Sequence, residues 1–393
     1  MHPTFDNPRH AWAYLSRVVE GPHPAMGVLL DMRDPCEIAH AIYYREAWIG
    51  DTLLRATDSR HDVYRPQEDL DEAEKIGARL VTPLDEEWPR ERFERAFSFA
   101  RNPNNAYARP SSSDAFAPHA LWVKGGNLNT LVSQSVAVVG TRAISQFGVQ
   151  AVNALVPGLV NHNWTIVSGG ALGVDTAAHR TALEHGGNTV AVMSCGLDRH
   201  YPAANWVLFE KISEHGCLVS EYPPGTTPAR HRFLTRNRLV AALSDGVVVV
   251  EAAYRSGALS TLAWGNTLGC VGMAAPGPLG NQAFLGAHVK IQSGDAQLVT
   301  SAEDIRQLVG NALLDESGKQ ESLFGPSAVQ QLSRNELRVY DALSNVALDT
   351  KSLSQEAGLS MGLTVSILVD LHERGYVMRS SGGWLRNGGC GIA

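Results

Sequence analysis

Apolar residues follow two different rhythms along this chain. Over the first hundred residues they recur every three or four positions. AWAYLSRVV (Ala11–Val19), EIAHAIYY (Glu37–Tyr44) and EDLDEAEKIGARL (Glu68–Leu80) read as helices, the last with an acidic first turn that suits a helix N-terminus. From LWVKGG (Leu121–Gly126) onward the rhythm shortens. SVAVVG, TIVSGG, NTVAVMSCG, GCLVSEY, GVVVVEA and GCVGMAAPG are Val- and Ala-rich runs that close on Gly, Ser or a polar residue, each followed by a helical stretch. Apolar runs without strict alternation are what strands buried on both faces require. The pattern predicts an α/β fold in which a parallel sheet carries helices on both sides.

Two polar stretches interrupt this pattern and read as linkers: ARPSSSDAFAP (Ala108–Pro118) and ESGKQESLFGPSA (Glu316–Ala328), the second after the helical AEDIRQLVGNALL. They divide the chain into a helical domain over 1–112, the α/β core over 113–312 and a small domain over 326–393. A length of 393 residues agrees with that division, because single cores stop growing at roughly 250 to 300 residues. The last sixty residues give three short helical segments and a Gly-centred hairpin.

Composition narrows the function classes. With 44% hydrophobic and 19% charged residues the chain is an ordinary globular protein rather than a disordered one. No run approaches the roughly 18 apolar residues of a membrane span, and MHPTFDNPRHAWAYLSRVVEG lacks a signal peptide's apolar core, so a cytosolic protein is expected. Cys36, Cys195, Cys217, Cys270 and Cys390 are scattered without a C-x-x-C, which supports neither disulfides nor a structural metal and predicts reduced, mostly buried thiols. A net charge of -7 argues against coating nucleic acid with the whole surface but leaves room for a focused basic site.

Ligands in an open parallel sheet sit at the carboxyl ends of the strands. The first strand ends in Gly140-Thr141-Arg142 and runs through Ser145 and Gly148 into a helix. The second ends in Ser168-Gly169-Gly170, with Gly173 beyond, and the fifth reaches Glu251 and then Ser256-Gly257. Glycines admit a ligand close to the backbone and helix N-termini attract anions, so these turns predict a phosphate site. Neither G-x-G-x-x-G after the first strand nor a P-loop occurs, which disfavours a dehydrogenase or NTPase, and no cofactor is expected. The G-x-S-x-G match at Gly358–Gly362 lies between two predicted helices and is a chance one. His179 and His185 do not share a helix face, so no metal pair is expected, and His179 reads as a packed or hydrogen-bonding residue.

The stretch ARHRFLTRNRLVAALSD (Ala229–Asp245) places Arg230, His231, Arg232, Arg236 and Arg238 within ten residues. Leu239, Val240 and Leu243 predict a helix just before the fifth strand, with Arg236 and Arg238 in its first turn. There they repel one another and oppose the helix dipole, a cost an anionic ligand would offset. Phe233 among them matches the way single strands are held, by base stacking and phosphate pairing. The alternative is a solvated face whose arginines pair with Glu221 or Asp245.

Six motifs in order, VAVVGTRAISQFG, VSGGALGVDTAAHRTAL, Tyr201-Pro202, SEYPPGT, F-x-x-RNR at Phe233–Arg238 and VVVVEAAYRSGALST, resemble the DNA-processing protein A family (DprA, also called Smf). AWAYLSRVVEGP and GARLVTPLDEEWP resemble that family's helical, SAM-like N-terminal part. The resemblance implies a Rossmann-like core that binds single-stranded DNA, forms a homodimer and loads a RecA-type recombinase during natural transformation. By position it implies DNA contacts at Arg142, Phe233, Arg236 and Arg238 and a pocket shaped by Ser168, Gly169 and Gly170. With the strand-end turns and the basic stretch, the candidate set is Gly140, Thr141, Arg142, Ser145, Ser168, Gly169, Gly170, Arg232, Phe233, Arg236, Asn237, Arg238, Ser256 and Gly257.

The chain departs from the family pattern at Leu172, where an Arg is usual, and after Ser256-Gly257, which continues as ALSTLAWGNTLGC. The rival reading is an enzyme, since the core is also similar to that of the nucleoside-monophosphate phosphoribohydrolases. Trp264 stands where their catalytic Glu would be, with Glu251 as a substitute, so a binding protein is expected. The C-terminal segment resembles a winged helix, but its third helix offers only His372 and Arg374, and Arg334, Arg338, Lys351, Arg374, Arg379 and Arg386 are balanced by Glu336, Asp341, Asp349, Glu356, Asp370 and Glu373. Protein contact suits it better than sequence-specific duplex reading.

Overall fold

The computed structural model describes residues 3–107, 114–315, 332–344, 346–380 and 382–387. Residues 1–317 form one compact unit and 318–393 a second. The core of each linker, residues 108–113 and 316–328, lies outside the described residues, as does Cys390.

In the first unit, helices α1 (Pro8–Val18), α2 (Pro24–Met32), α3 (Pro35–Tyr43), α4 (Asp51–Thr57) and α5 (Pro66–Lys75) come first. Four of the five begin with proline, whose missing N–H costs nothing in a first turn. The helix expected over Glu68–Leu80 ends at Lys75, and Ala78–Val81 is instead strand β1. Gly77, at φ 73, makes the turn between them. After α6 (Arg90–Arg101) come β2 (Leu121–Gly125), α7 (Leu128–Leu131), β3 (Ser135–Val139), α8 (Gln146–Val160), β4 (Thr165–Ser168), α9 (Val174–Glu184) and β5 (Thr189–Met193). They continue with α10 (Trp206–His215), β6 (Cys217–Ser220), α11 (Arg230–Ala242), β7 (Gly246–Val249), α12 (Ala258–Thr267), β8 (Val271–Ala274), α13 (Leu285–Gln292), β9 (Gln297–Leu298) and α14 (Ala302–Asp315).

All six predicted strands are present, as β3 to β8, and all are parallel. The sheet order is β1-β2-β6-β5-β4-β3-β7-β8-β9, with β2 antiparallel to β6 and β1 to β2. The strand from GCVGMAAPG is an inner one, because β9 pairs outside β8. Chain progression reverses between β3 and β7, which makes their carboxyl ends the switch point where doubly wound sheets open a crevice.

Three cores fill the layers. α8, α9 and α14 bury Val156, Leu159, Ala178 and Ile305 on one face, and α6, α11 and α12 bury Phe93, Phe97, Leu239 and Leu262 on the other. The N-terminal helices form the third with β2, β5, β6 and α10, through Tyr14, Ile38, Trp122, Met193 and Phe209. The Trp122 indole donates to Ser16 Oγ at 2.9 Å, tying α1 to the sheet.

The second unit contains α15 (Arg334–Ala342), α16 (Thr350–Ala357), α17 (Met361–Glu373) and the antiparallel hairpin β10 (Val377–Ser380) and β11 (Gly383–Arg386), the three helices and hairpin read from the sequence. Ser333 and Glu336 form a capping box on α15, and Gly358 closes α16 in the left-handed conformation. The G-x-S-x-G match is therefore a helix-to-helix turn.

Glu20, just past α1, pins the N-terminal helices to α11. It accepts from Arg232 Nε at 2.7 Å and from His231, and pairs with Arg60. Burial alone would raise its carboxyl, but the bonds from Arg232, His231 and Arg60 outweigh that and hold it at about 2. A carboxyl depressed below its unfolded value of about 4.3 adds stability that is complete above that pH and is lost as pH falls towards 2. Urea unfolding should show Glu20→Gln less stable than the natural chain at pH 7 and nearly equal to it near pH 2. A gap that persists at low pH would show that the interaction is not ionic.

Candidate nucleic-acid interface

A cleft of about 750 Å³ opens at the switch point. Gly140 and Arg142 line it from the end of β3, Gly169 and Ala171 from the turn after β4, Asp175 from the first turn of α9, and Arg255, Ser256 and Gly257 from the turn after β7. The remaining wall is α11, through Arg230, Phe233, Leu234, Arg236, Asn237 and Val240, with Tyr201 at the rim. Most of these α11 positions share the three-and-four spacing of one helix face.

The helix starts at Arg230, so Arg236 and Arg238 are mid-helix rather than in the first turn as expected. Two residues along a helix are about 200° apart, so the two arginines face opposite ways. Arg236 faces the cleft floor, 5% exposed, and donates to the carbonyls of Gly169 and Val192. A Cβ on Gly169 would lie 2.2 Å from that guanidinium, which is why glycine stands there. Arg238 is fully buried on the other side, paired with Glu221, 3.0 Å from the Phe116 carbonyl and 5.7 Å from the Phe97 ring centroid. The expected DNA contact at Arg238 is therefore a core ion pair. The Glu221 partnership set out as the alternative is correct, but in the core rather than on a solvated face. Asp245, the other partner considered, binds Arg92 and Arg95 instead.

At the rim, Arg142 stands 5.3 Å from the centroid of Phe233, and Tyr201 packs on that ring at 5.5 Å. Arg142, Arg230 and Arg255 are exposed, and none pairs with a carboxylate among the described residues. Asn237 reaches the Gly257 carbonyl at 3.5 Å. Arg230, Arg255, Tyr201 and Asp175 were not among the expected contacts. The first was in the basic stretch and the second sits one residue before Ser256-Gly257, so both were one step from being read.

Six expected residues do not line the cleft. Ser168 is buried and donates to the Val138 carbonyl at 2.7 Å; Thr141 joins β3 to β7 through its N–H and the Glu251 carbonyl, also at 2.7 Å. Gly170 packs on Phe209, and Arg232 is held by Glu20. Ser145 caps α8, accepting from the Gly148 N–H at 3.1 Å, while its own hydroxyl and N–H donate to Glu251 at 2.8 and 3.0 Å. The anion at that helix N-terminus is thus the protein's own carboxylate. Arg238 is the sixth.

The other expectations can be placed as well. His179 is buried with Nδ1 2.7 Å from Thr189 Oγ1, a hydrogen-bonding core residue as read. The four described cysteines are free. Trp264 is buried in the core, and Leu172 is exposed beside the cleft. Among the described residues no helix is long and apolar enough to cross a membrane.

The DNA recombination-mediator protein A family matches residues 79–310, more than half of the chain and the whole of the cleft. The protein belongs to that family. A Mycobacterium tuberculosis protein bearing the DprA name is 41% identical over 96% of this chain and 94% of its own. Protein Smf of Escherichia coli is 33% identical over 76% of this chain and 82% of its own. The crystal structure of DprA from Streptococcus pneumoniae superposes with a TM-score of 0.57 at 31% identity, covering 77% of this chain and 95% of that one. The Rossmann-like α/β core implied by the six motifs is therefore that of the DprA family.

Removing one partner of a buried ion pair strands the other charge. Arg238→Ala should lose about 3 to 5 kcal/mol of stability in denaturant unfolding, whereas Arg142→Ala should stay within about 0.5 kcal/mol. Equal losses in the two variants would contradict their assignment to core and rim.

Proposed function

We propose that the protein binds single-stranded DNA in the cleft and acts in DNA processing for recombination without catalysing a reaction. The observation that carries this reading is the grouping of three exposed arginines, Arg142, Arg230 and Arg255, which pair with no carboxylate among the described residues, around the Phe233–Tyr201 pair. Stacked rings take bases of any sequence, and guanidinium forks pair two phosphate oxygens at once.

Family membership supports the recombination role. Loading of a RecA-type recombinase during natural transformation, and a homodimer offering two clefts to one strand, belong to the same proposal. Leu279, 94% exposed in the loop after β8, is an apolar side chain open to a second copy. The enzyme reading lacks support at its carboxylate: Glu251 is 1% exposed and engaged by Ser145 at α8, and Trp264 is buried. For the second unit we propose a winged-helix module that contacts protein. Its Arg374 pairs with Glu336 and Asp370, Arg386 lies over Tyr340 and Arg379 over Trp384, while Met361, Val365 and Val369 form an exposed apolar stripe on α17.

Each arginine that neutralises a phosphate contributes a salt slope of roughly -0.7 on single strands. Changing Arg142, Arg230 and Arg255 together to Ala should weaken oligonucleotide binding and flatten the slope by about two units. Phe233→Ala should lose roughly 1 to 3 kcal/mol while leaving the slope nearly intact. Anisotropy titrations at several salt concentrations read both effects. An unchanged slope in a folded triple variant would remove the cleft as the DNA site.

A further inference from the structure

The cleft is not uniformly basic. Its floor holds two buried ionisable groups of opposite sign, Arg236 at 5% exposure and Asp175 at 6%. Arg236 donates Nη1 to two carbonyls, while its Nε has no hydrogen-bond partner among the described residues. Asp175 stands in the first turn of α9, where its carboxyl accepts from the Ala171 N–H at 3.3 Å. Both side chains line the space a ligand would enter.

A phosphate drawn to Arg236 at the floor meets the Asp175 carboxyl in the same confined volume. Ionised, that carboxyl is a second anion in a poorly solvated site and repels the phosphate. Protonated, it is a hydrogen-bond donor to a phosphate oxygen. We propose that the cleft takes up a proton with the strand: Asp175 is a carboxylic acid when a phosphate occupies the floor, so single-strand affinity falls as pH rises. The inference rests on the reading of this cleft as the single-strand site. Atoms balance simply, since one proton moves from solvent to the Asp175 carboxyl on binding and returns on release.

The surroundings favour that chemistry. Burial pushes Asp175 above the ordinary carboxylate range, with Arg236 opposing. A bound phosphate pushes in the same direction as burial. Helix α8 and strands β3, β4 and β5, which pack on α9, carry no ionisable side chain. On α9 itself the nearest is His179, which burial lowers to about 3 and so leaves uncharged. From α11 it is Arg236, and Arg142, Arg230 and Arg255 complete the cleft. The charged residues Lys211, Glu214 and His215 of α10 line a separate groove with Arg180 and Glu184 of α9. Lys124 engages Glu210 of α10 at 2.9 Å.

The sign follows from linkage. A carboxyl whose affinity for protons is higher in the complex than in the free protein favours binding at low pH, and that advantage is lost as pH rises between the free and bound values. The pH profile alone does not identify the group, since any histidine gaining charge at low pH also favours an anion. Asp175→Asn does. It keeps the shape, is neutral at every pH and retains a hydrogen-bond donor.

The test uses the full chain and a fluorescent oligothymidylate of about 20 nucleotides, titrated from pH 5 to pH 8. The natural protein should lose about tenfold in affinity across that range, and Asp175→Asn should bind about tenfold more tightly than the natural protein at pH 8 with a nearly flat profile. A variant that binds more weakly than the natural protein, or that keeps its pH profile, overturns the proposal. Calorimetry of the natural protein in two buffers of different ionisation enthalpy should show net proton uptake near pH 6, and none there overturns it without any variant. If the natural protein binds no single strand at any pH, the reading of the cleft itself has failed.

Discussion

The guanidinium of Arg236 laid on the backbone of Gly169 is the contact on which the cleft depends. It holds α11 against the ends of β4 and β5 by donating to the Gly169 and Val192 carbonyls, and it does so from inside the protein. Buried carbonyls require donors, and an arginine supplies them while leaving a cation at the floor of the crevice. Everything else in the wall follows from that placement. Phe233 and Arg230 lie about one and two turns earlier on the same helix, so fixing Arg236 fixes the stacking ring and a rim arginine with it. Arg238, on the opposite face, completes the anchorage through Glu221 in the core.

This arrangement explains how an acidic protein keeps a basic site. Arg238 of the RNR motif holds the core, Arg236 holds backbone carbonyls while facing the cleft floor, and the exposed arginines that line the cleft come from three separate elements: the turn after β3, the start of α11 and the turn after β7. Elsewhere charges are neutralised locally. Glu20 collects Arg60, His231 and Arg232; Asp245 collects Arg92 and Arg95; Glu251 occupies the N-terminus of α8. Asp175, by contrast, is a carboxyl that lines the cleft.

Much of the core was legible in the sequence because parallel strands buried on both faces leave unbroken apolar runs, and β3 to β8 were all found that way. β1 was not, since ARLV is only four residues and continues the apolar spacing of the acidic helix before it, with Gly77 alone marking the turn. Candidate residues whose position depends on a turn could be placed as well: Gly140, Arg142, Gly169, Ser256 and Gly257 follow strand ends and line the cleft. Those on α11 were harder. Motif order gave their identity, but the face each occupies depends on where the helix starts. Taking the start near Arg236 rather than at Arg230 assigned Arg238 to the ligand, although 200° of rotation separates it from Arg236. Ser145 failed for a different reason: a helix N-terminus attracts any carboxylate, and Glu251, distant in sequence, was already there.

A single strand bound in the cleft would lie against Tyr201 and Phe233. Ultraviolet crosslinking of an oligonucleotide carrying 5-iodo-deoxyuridine, followed by mass spectrometry of the digested protein, tests it most directly. Adducts should fall on peptides containing Tyr201 or Phe233. Adducts confined to residues 332–387, or to surfaces of the first unit away from the cleft, would contradict it.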